Sequence, residues 1–299
     1  MKRKRRKGLA ELAGRYRIDD PKKFRLGDYD PDDTDSLSIR GRAAKAKAEA
    51  LLGEGLARLA DLQDRLYAQD RWGVLLIFQA MDAAGKDSTI KHVMSGVNPQ
   101  GVEVTSFKVP SAEDLDHDYL WRCTKRLPER GRIGIFNRSY YEEVLVVRVH
   151  PEILAGQKVP PALVGDKIWS QRYDDINAFE RYLSRNGFRV LKFFLNVSKK
   201  EQKRRFLERL DRPEKNWKFS IGDVRERKLW GDYRRAYSDA IAATSTPWAP
   251  WYVVPADHKW FTRVVVAEAI VSELEKLDLR YPTLDKARRK ELDAARRGL

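Results

Sequence analysis

Five short apolar runs recur along the chain and alternate with longer amphipathic segments. The runs have the length and the β-branched or aromatic content of buried strands, and they cover residues 74–78, 102–107, 132–136, 188–197 and 251–254. Helical periodicity predicts helices over residues 40–69, 112–127, 164–184, 198–211, 221–243 and 259–277, and a charged helix after Pro282. Strands that alternate with helices predict a three-layer α/β/α fold around a parallel sheet of about five strands.

The first 38 residues lack such periodicity. Residues 1–8 are a basic run, and residues 28–38 are acidic and rich in turn formers. We therefore expect an irregular extension over residues 1–38 and a single domain over residues 39–299. The basic run is either a solvated tail or an additional anion-binding arm. The first predicted helix carries an apolar stripe, which packs either within the domain or against another subunit; its members are Leu52, Leu56, Leu59, Leu62 and Leu66.

The densest chemical signal is the turn Ala80–Lys86, which follows the first predicted strand. A helix begins directly after this turn, with an apolar face made of Ile90, Val93, Met94 and Val97. The first N–H groups of a helix have no intrahelical partner, and the helix dipole is positive at that end. A glycine next to a lysine lets the backbone approach an anion and adds a full positive charge. Strand, turn and helix in this order predict a phosphate loop rather than an ordinary connection.

The side chains of this turn extend the prediction to a metal ion. Asp82 offers a carboxylate for Mg²⁺, with Mn²⁺ as the second candidate. Lys86 can reach a phosphoryl group in transfer, and Ser88 offers a hydroxyl. The turn departs from the common phosphate-loop pattern at Ala80, which replaces a glycine, and at Asp87, which replaces a serine or threonine. The two acids indicate that carboxylates within the loop hold the metal.

A second polar group follows the third predicted strand. In a parallel sheet, the carboxyl ends of the strands meet at one edge, so this group should lie beside the phosphate loop. The sequence there offers the neutral Asn137, so the metal depends on Asp82, with Glu142 as the candidate second ligand. Arg138 has the planar guanidinium that binds two phosphate oxygens at once. The alternative for Arg138 is a surface ion pair with Glu142.

Residues 199–235, which follow the fourth predicted strand, form a strongly basic segment with fourteen Lys or Arg and seven Asp or Glu. In P-loop kinases a lid closes over the phosphates, excludes water and supplies cations. We therefore predict that residues 199–235 are a helical lid, although a solvated charged face is the alternative. Its aromatic residues either pack in the core or stack on a base, and they are Trp217, Phe219, Trp230 and Tyr233.

The composition of the whole chain narrows the partners. The 299 residues carry a net charge of +15, which favours a polyanionic partner, although a solubilising surface would give the same balance. The single cysteine, Cys123, excludes an intrachain disulfide and a cysteine-based metal site. No apolar stretch follows the basic N-terminus, and no run is long enough to span a bilayer. We therefore expect a cytoplasmic protein without membrane contact.

Three stretches of the sequence together resemble the polyphosphate kinase 2 family. They are QAMDAAGKDSTIKHVMSGVNPQGV, RIGIFNRSYYEEVLVVRVHPE and RRFLERLDRPEKNWKFSIGDVRERKLWGDY. The resemblance covers roughly residues 40–277. It implies a P-loop kinase-like fold and reversible, Mg²⁺-dependent phosphoryl transfer between inorganic polyphosphate and nucleotides. The combination of Asp87, Ser88 and Asn137 with Glu142 and Glu143 resembles the subgroup that acts on both nucleoside monophosphates and diphosphates.

The resemblance also implies a role for individual residues. It makes Asp82, Lys86 and Arg138 catalytic, with Asp82 next to the metal. It assigns the binding of phosphate and nucleotide to Ala83, Ala84, Gly85, Asp87, Ser88, Asn137 and Glu142. It assigns the polymer to cations of the lid, with candidates Arg204, Arg205, Arg209, Lys215 and Lys228.

The expected partners are therefore inorganic polyphosphate and AMP, ADP and ATP, with guanine nucleotides as further candidates, and a second copy of the chain in a homo-oligomer. The main alternative is a conventional ATP-dependent kinase for a nucleotide or small molecule, which would explain the loop and the lid but not the large positive surplus. A third hypothesis is a P-loop protein that binds nucleic acid. We expect no nucleic acid partner, because the basic residues concentrate in the lid rather than in a separate module.

Overall fold

The computed structural model describes residues 11–34 and 42–299. Five parallel strands form one sheet in the order β2-β3-β1-β4-β5. Their bounds are Gly73–Ala80 (β1), Val102–Ser106 (β2), Ile133–Asn137 (β3), Phe188–Asn196 (β4) and Trp251–Pro255 (β5). β1 lies in the middle, and every residue in it is buried, as expected for a strand covered on both faces. The predicted parallel sheet is confirmed.

Helices connect the strands and cover both faces of the sheet. The α-helices are α1 (Arg42–Gln69), α2 (Lys86–Val93), α3 (Ala112–Leu115), α4 (Trp121–Thr124), α5 (Val146–Val149), α6 (Pro151–Ala155), α7 (Ile168–Arg185), α8 (Lys199–Asp211), α9 (Pro213–Asn216), α10 (Ile221–Glu226), α11 (Trp230–Thr244), α12 (Lys259–Glu275) and α13 (Lys286–Gly298). One layer contains α1, α2 and α12, and the other contains α7 and α11. Among residues 11–34 and 42–299, no helix is both long and apolar enough to cross a membrane.

The apolar stripe of α1 packs within the chain, against α12. Leu59 and Leu66 of the stripe are fully buried. Gly55 permits the close approach of the two helices, because a Cβ at this position would lie 3.0 Å from a carboxylate oxygen of Glu268. Arg58 then pairs with the same carboxylate at 3.2 Å. Of the two predicted partners for the stripe, the structure therefore supports the domain itself, and the homo-oligomer stays a prediction.

Part of the predicted N-terminal extension packs on the domain. Beside the edge strand β5, the Ile18 N–H donates to the Trp251 carbonyl at 2.9 Å, and the Val253 N–H donates to the Tyr16 carbonyl at 2.8 Å. This pairing covers a sheet edge that would otherwise offer unpaired backbone groups. The buried side chains of the segment are Leu12, Ala13, Tyr16, Ile18 and Leu26. Residues 1–10, which include the whole basic run, lie outside the described residues.

Two predicted helices are interrupted. The helix expected over residues 112–127 is the pair of short helices α3 and α4, and the helix expected over residues 221–243 is broken by a 3₁₀ turn, Arg227–Leu229. The first break has a local cause, because the Asp118 carboxylate accepts the Leu120 N–H at 2.9 Å and so competes with the helical bond. The loop predicted after Pro213 likewise contains the short helix α9.

The topology determines where a ligand can bind. β1 lies between β3 and β4, and the connections from β1 and β3 leave towards opposite sides of the sheet. Ligands of open α/β sheets bind at such a switch point, beyond the carboxyl ends of the strands.

Candidate active site

The phosphate loop (Ala80–Lys86) connects β1 to α2 at the carboxyl edge of the sheet. Gly85 caps α2 with φ of +104°, and Ala83 has φ of +60°, so the chain reverses through two left-handed residues. The Lys86 ammonium folds back over the loop and donates to the Ala80 carbonyl at 3.2 Å. Burial and the neighbouring charge of Arg138 lower the pKa of Lys86, whereas nearby carboxylates, Asp82 first, oppose that shift. The loop thus surrounds a space for an anion with N–H groups and one ammonium.

Arg138 follows β3 directly and lies beside the phosphate loop. Its backbone is left-handed, with φ of +64°, and its N–H donates to the Phe78 carbonyl of β1 at 3.0 Å. One guanidinium nitrogen lies 3.6 Å from Asp82 Oδ1, and another lies 3.3 Å from Glu142 Oε2. Burial opposes the charge of this group, but the Glu142 and Asp82 carboxylates hold the pKa of Arg138 above its ordinary value. The structure therefore brings Asp82, Lys86, Arg138 and Glu142 together.

Glu142 belongs to a buried 3₁₀ turn, Tyr140–Val144. Burial raises the pKa of Glu142, and the positive charges of Arg138 and Lys86 oppose that rise. The ion pair between Arg138 and Glu142, which was the alternative to phosphate binding by Arg138, thus forms, but inside the site rather than on the surface. It orients the guanidinium, because the same group faces a carboxylate on each side.

Asn137, at the end of β3, interacts with the first turn of α2. Its amide donates to the Asp87 carboxylate at 2.6 Å. An aspartate at position 137 would place a second negative charge at that distance. Asp87, which departs from the common phosphate-loop pattern, and the neutral Asn137 are therefore complementary. Ser88, the next residue of α2, accepts a hydrogen bond from Arg263 of α12 at 3.0 Å.

A basic cleft of about 590 Å³ opens over the phosphate loop. The loop, the connection after β2 and the lid (residues 199–235) contribute to its lining. Its basic residues are Lys86, Lys108, Arg138, Arg205, Arg209, Lys215, Lys218 and Lys259, against the acids Asp82, Asp87 and Glu208. Eight cations against three acids make this cleft a binding site for an extended anion.

A second, aromatic cleft of about 260 Å³ adjoins the basic cleft, and Asp82 and Arg138 line both. Its other chemically distinctive residues are Glu142, His150, Gln202, Glu226, Arg227, Trp230, Tyr233 and Tyr237. The Glu226 carboxylate accepts a hydrogen bond from the Tyr233 hydroxyl and lies 3.0 Å from His150 Nε2. This cleft combines flat aromatic rings with polar groups, as a site for a base-bearing ligand does.

The lid cations differ in where they lie. Arg209 and Lys215 line the basic cleft, and each has an acidic partner, Asp223 and Glu208 respectively, of which only Glu208 lines the cleft among the described residues. Arg204 is 60% exposed and pairs with Glu201 on α8. Lys228 is exposed, and neither it nor Arg204 lines the basic cleft among the described residues. A polymer contact for those two stays a prediction.

Arg205 is buried, and its donors all have protein acceptors. One terminal nitrogen donates to the Ala83 and Ala84 carbonyls at 3.0 and 2.7 Å, and the other donates to the Ala256 and Asp257 carbonyls at 2.6 and 3.1 Å. Its Nε donates to Glu201 at 2.7 Å. All five guanidinium N–H groups are therefore engaged. In this structure Arg205 supports the phosphate loop, which differs from the predicted polymer contact.

Residues 198–201, Ser-Lys-Lys-Glu, have the sequence of a capping box, which forms only in part at the start of α8. The Ser198 hydroxyl accepts the Glu201 N–H at 3.0 Å. The Ser198 N–H, however, donates to Asp257 at 2.7 Å, while the Glu201 carboxylate binds Arg204 and Arg205. Glu201 therefore holds the loop-supporting arginine in place.

Several lining residues were not selected from the sequence. Lys108 and Lys259 follow the carboxyl ends of β2 and β5, so the strand-end rule could have found them. Lys218 and Arg227 were not distinguishable from their basic neighbours in the lid. Of the aromatic lining, the sequence indicates Trp230 and Tyr233 as either core or base-stacking residues, whereas Tyr237 was missed, because tyrosine at helical spacing is equally typical of a core.

The donor set at the junction of the two clefts fits a magnesium ion. Within the described part of the chain, no group of three or more His, Cys, Asp or Glu is arranged to hold a metal. Mg²⁺, however, usually binds one or two carboxylates and completes its shell with water and substrate phosphates. Asp82 is 32% exposed and faces both clefts, so its carboxylate can serve as such a ligand.

These features define a P-loop kinase-like phosphotransferase. A phosphate loop follows the central strand of a five-stranded parallel sheet, and a helical lid supplies cations to the adjoining cleft. Within that class, the chain belongs to the polyphosphate kinase 2 family. The family model, described as Polyphosphate kinase 2, matches residues 42–282, which confirms the resemblance stated from the sequence.

Individual relatives agree with this membership. An ADP-polyphosphate phosphotransferase of Rhodopseudomonas palustris is 55% identical over 250 residues, which are 83% of this chain and 86% of the relative. An AMP/ADP-polyphosphate phosphotransferase of Meiothermus ruber is 46% identical over 276 residues, 92% and 98% of the two chains. The crystal structure of polyphosphate kinase 2 from Arthrobacter aurescens TC1 superposes with a TM-score of 0.81 at 42% identity, covering 91% of this chain and 93% of the other.

Proposed function

We propose that this enzyme transfers a phosphoryl group between inorganic polyphosphate and a nucleotide, with AMP and ADP as acceptors. The observation that carries the proposal is the junction of two unlike clefts at Asp82 and Arg138. A transfer reaction needs one place for the donor and one for the acceptor, with the reacting phosphoryl group between them. The names of the relatives from R. palustris and M. ruber support these substrates.

The basic cleft suits the polymer. Polyphosphate has about one negative charge per phosphate at neutral pH and no base to be recognised. The cleft offers cations to it, and Phe107, the aromatic residue of its lining, is buried rather than presented as a stacking surface. A cleft of this kind binds by charge, so affinity for the polymer should weaken as salt rises.

The aromatic cleft suits the nucleotide. Trp230 and Tyr233 offer ring faces and edges for a base, the buried Tyr237 completes the aromatic lining, and Arg138 offers a fork for a phosphate. In this arrangement the acceptor phosphate points towards the phosphate loop, where the transferred group arrives from the other side.

The reaction needs positioning and neutralisation of charge. The Lys86 ammonium and the Arg138 guanidinium lie where the transferred phosphoryl group passes, and each stabilises negative charge that develops on its oxygens. Glu142 keeps the Arg138 fork in place, and the fully engaged Arg205 keeps the loop carbonyls in place. We propose that Asp82 holds Mg²⁺, which when bound supplies further positive charge to the phosphate oxygens. Direct in-line displacement requires no covalent intermediate on the protein.

The testing experiment uses purified protein, Mg²⁺ and AMP or ADP, with polyphosphate as the sole phosphoryl donor. We expect ADP and ATP to form from AMP, and ATP to form from ADP. If product forms from ADP but not from AMP, polyphosphate is still the donor, but AMP is not an acceptor. No product with polyphosphate, together with turnover of ATP against another acceptor, would replace this proposal with a conventional kinase. The Lys86→Met variant, checked for an unchanged melting temperature, gives the background of the assay.

A further inference from the structure

A loop outside the lid contributes one cation to the basic cleft. Residues 107–110 connect β2 to α3, and Phe107, Lys108 and Val109 line the cleft. Phe107 is buried and packs edge-on against Phe136 of β3, with ring centroids 4.9 Å apart. Lys108 and Val109 are exposed. The loop therefore has one anchored end and presents an ammonium to whatever occupies the cleft.

Arg122 of α4 holds this loop. Its guanidinium donates to the Lys108 carbonyl at 2.8 Å and lies 5.6 Å from the centroid of the Phe107 ring. The Arg122 side chain is only 10% exposed and is not among the described residues that line the basic cleft. It therefore reaches the cleft only through the two residues that it contacts.

The charge of Arg122 is compensated by a buried carboxylate of the 3₁₀ turn Tyr140–Val144. Its other terminal nitrogen lies 3.7 Å from the carboxylate of Glu143, which is 3% exposed. The same carboxylate accepts from the Gln157 amide at 2.6 Å, and Arg172 donates to the Glu143 carbonyl at 2.8 Å. Glu143 directly follows Glu142 in the 3₁₀ turn. This set of contacts joins the loop after β2 to the turn that carries Glu142.

We propose that Arg122 is a positioning residue for the polymer, and that it fixes the loop so that Lys108 binds a phosphate in the basic cleft. The inference rests on the proposed function, because it takes a polyphosphate chain as the occupant. The physical reason is entropic. A lysine on a free loop loses both side-chain and backbone freedom when it binds a phosphate. If the loop is already held at the lysine carbonyl, the lysine loses only side-chain freedom.

A purely structural role for Arg122 predicts something different. If it only neutralised the buried Glu143, its loss would lower stability and leave the affinity for both substrates unchanged. Arg172 and Gln157 still interact with Glu143 after Arg122 is replaced, so the fold should tolerate the change.

The test compares Arg122→Met, Lys108→Gln and the double variant in the phosphoryl-transfer assay, with KM measured separately for long-chain polyphosphate and for the nucleotide. We expect both single variants to raise the KM for the polymer about five-fold, because each loses one partly solvated contact between a cation and a phosphate. The nucleotide KM should stay within a factor of two. The double variant should be no worse than Lys108→Gln, because Arg122 acts through Lys108. Arg126→Met removes the same charge from an exposed position and is the matched control.

Several results would overturn the inference. They are an unchanged polymer KM in Arg122→Met, an equal rise in Arg126→Met, or single-variant effects that multiply in the double variant. If Arg122→Met fails to fold, Arg122→Lys replaces it, because one ammonium cannot serve the Lys108 carbonyl and Glu143 together; it should raise the polymer KM too. Failure of the proposed function is distinguishable, since the wild-type enzyme would then show no transfer from polyphosphate at all.

Discussion

Lys192 lies in the middle of β4, and its ammonium is completely buried together with the carboxylate of Glu180 from α7. The ammonium also donates to the Tyr141 hydroxyl at 3.0 Å and to the Thr244 carbonyl at 2.7 Å. The hydroxyls of Tyr140 and Tyr141 both donate to Glu180 at 2.9 Å. Every atom of the pair thus has partners, and the two tyrosines begin the 3₁₀ turn that carries Glu142.

Lys192→Met removes one half of this pair and should lower the free energy of unfolding by about 3–5 kcal/mol, because it leaves an uncompensated buried carboxylate. For 299 residues, with an unfolding entropy of about 2.1 cal/mol/K per residue, this corresponds to a melting temperature lower by roughly 5–8 °C. The double variant Lys192→Met with Glu180→Leu should lose less stability than Lys192→Met alone, because neither charge of the buried pair remains. Lys276→Met is the control, since its ammonium also pairs with a carboxylate but is 54% exposed, and it should cost less than about 1 kcal/mol.

The pH dependence of the Lys192→Met variant gives an independent check. Burial already raises the pKa of Glu180 in the native protein, and loss of the ammonium raises it further. A carboxyl with a raised native pKa binds its proton more tightly when folded, so the contribution of Glu180 to the variant's stability is complete below the ordinary carboxyl pKa of about 4.3 and is lost as pH rises above it. Unfolding by urea at several pH values measures this trend. A loss under 1 kcal/mol, or a double variant less stable than the single one, would refute the reasoning.

Three further predictions concern the site. Gly85→Ala should lower the free energy of unfolding by about 1–2 kcal/mol and remove most of the transfer activity, as melting and activity assays would show. The reason is backbone strain at φ of +104°, not crowding, because the atom nearest to the added Cβ would be 3.7 Å away. Arg209→Gln should raise the polymer KM severalfold and flatten its salt dependence, while Arg204→Gln, outside the cleft, should change both less. Burial lowers the pKa of His150, but Glu226 and Glu152 outweigh it and leave the pKa above its ordinary value. The contribution of His150 to stability is therefore complete below about pH 6.5 and is lost as pH rises through its native pKa. The His150→Gln variant should lack this pH dependence when melting temperatures are measured across the range.

The sheet and the phosphate loop could be predicted because their signals are local. A buried parallel strand needs a run of apolar residues, and a phosphate loop needs its glycine and lysine at one turn. The strand-end rule then placed Asn137 and Arg138 beside that loop, where the structure has them. These inferences use neighbours in sequence or the order of strands, and neither depends on where a side chain finds its partner.

The functions of single basic residues could not be predicted in the same way. Arg204 and Arg205 are adjacent in sequence, yet one is exposed and the other is buried against four backbone carbonyls. The acceptors of Arg205 come from the phosphate loop and from the end of β5, more than 50 residues away in sequence. Two partners of Lys192, Tyr141 and Thr244, are also more than 50 residues away, and Tyr16 docks beside β5 from the other end of the chain. Such pairings depend on the folded geometry, and no local pattern encodes them.

The buried polar contacts around the site stabilise strained backbone. Ala83 and Arg138 are non-glycine residues with positive φ, a backbone conformation that costs about 1–3 kcal/mol each and persists only where the surroundings impose it. Arg205 holds the Ala83 carbonyl from one side of the sheet edge. Tyr140 and Tyr141, anchored by Glu180, hold the chain that follows Arg138 from the other. Two buried charged groups, Arg205 and Glu180, therefore support the chain next to the two strained residues, where rigidity is needed if Lys86 and Arg138 are to meet one phosphoryl group.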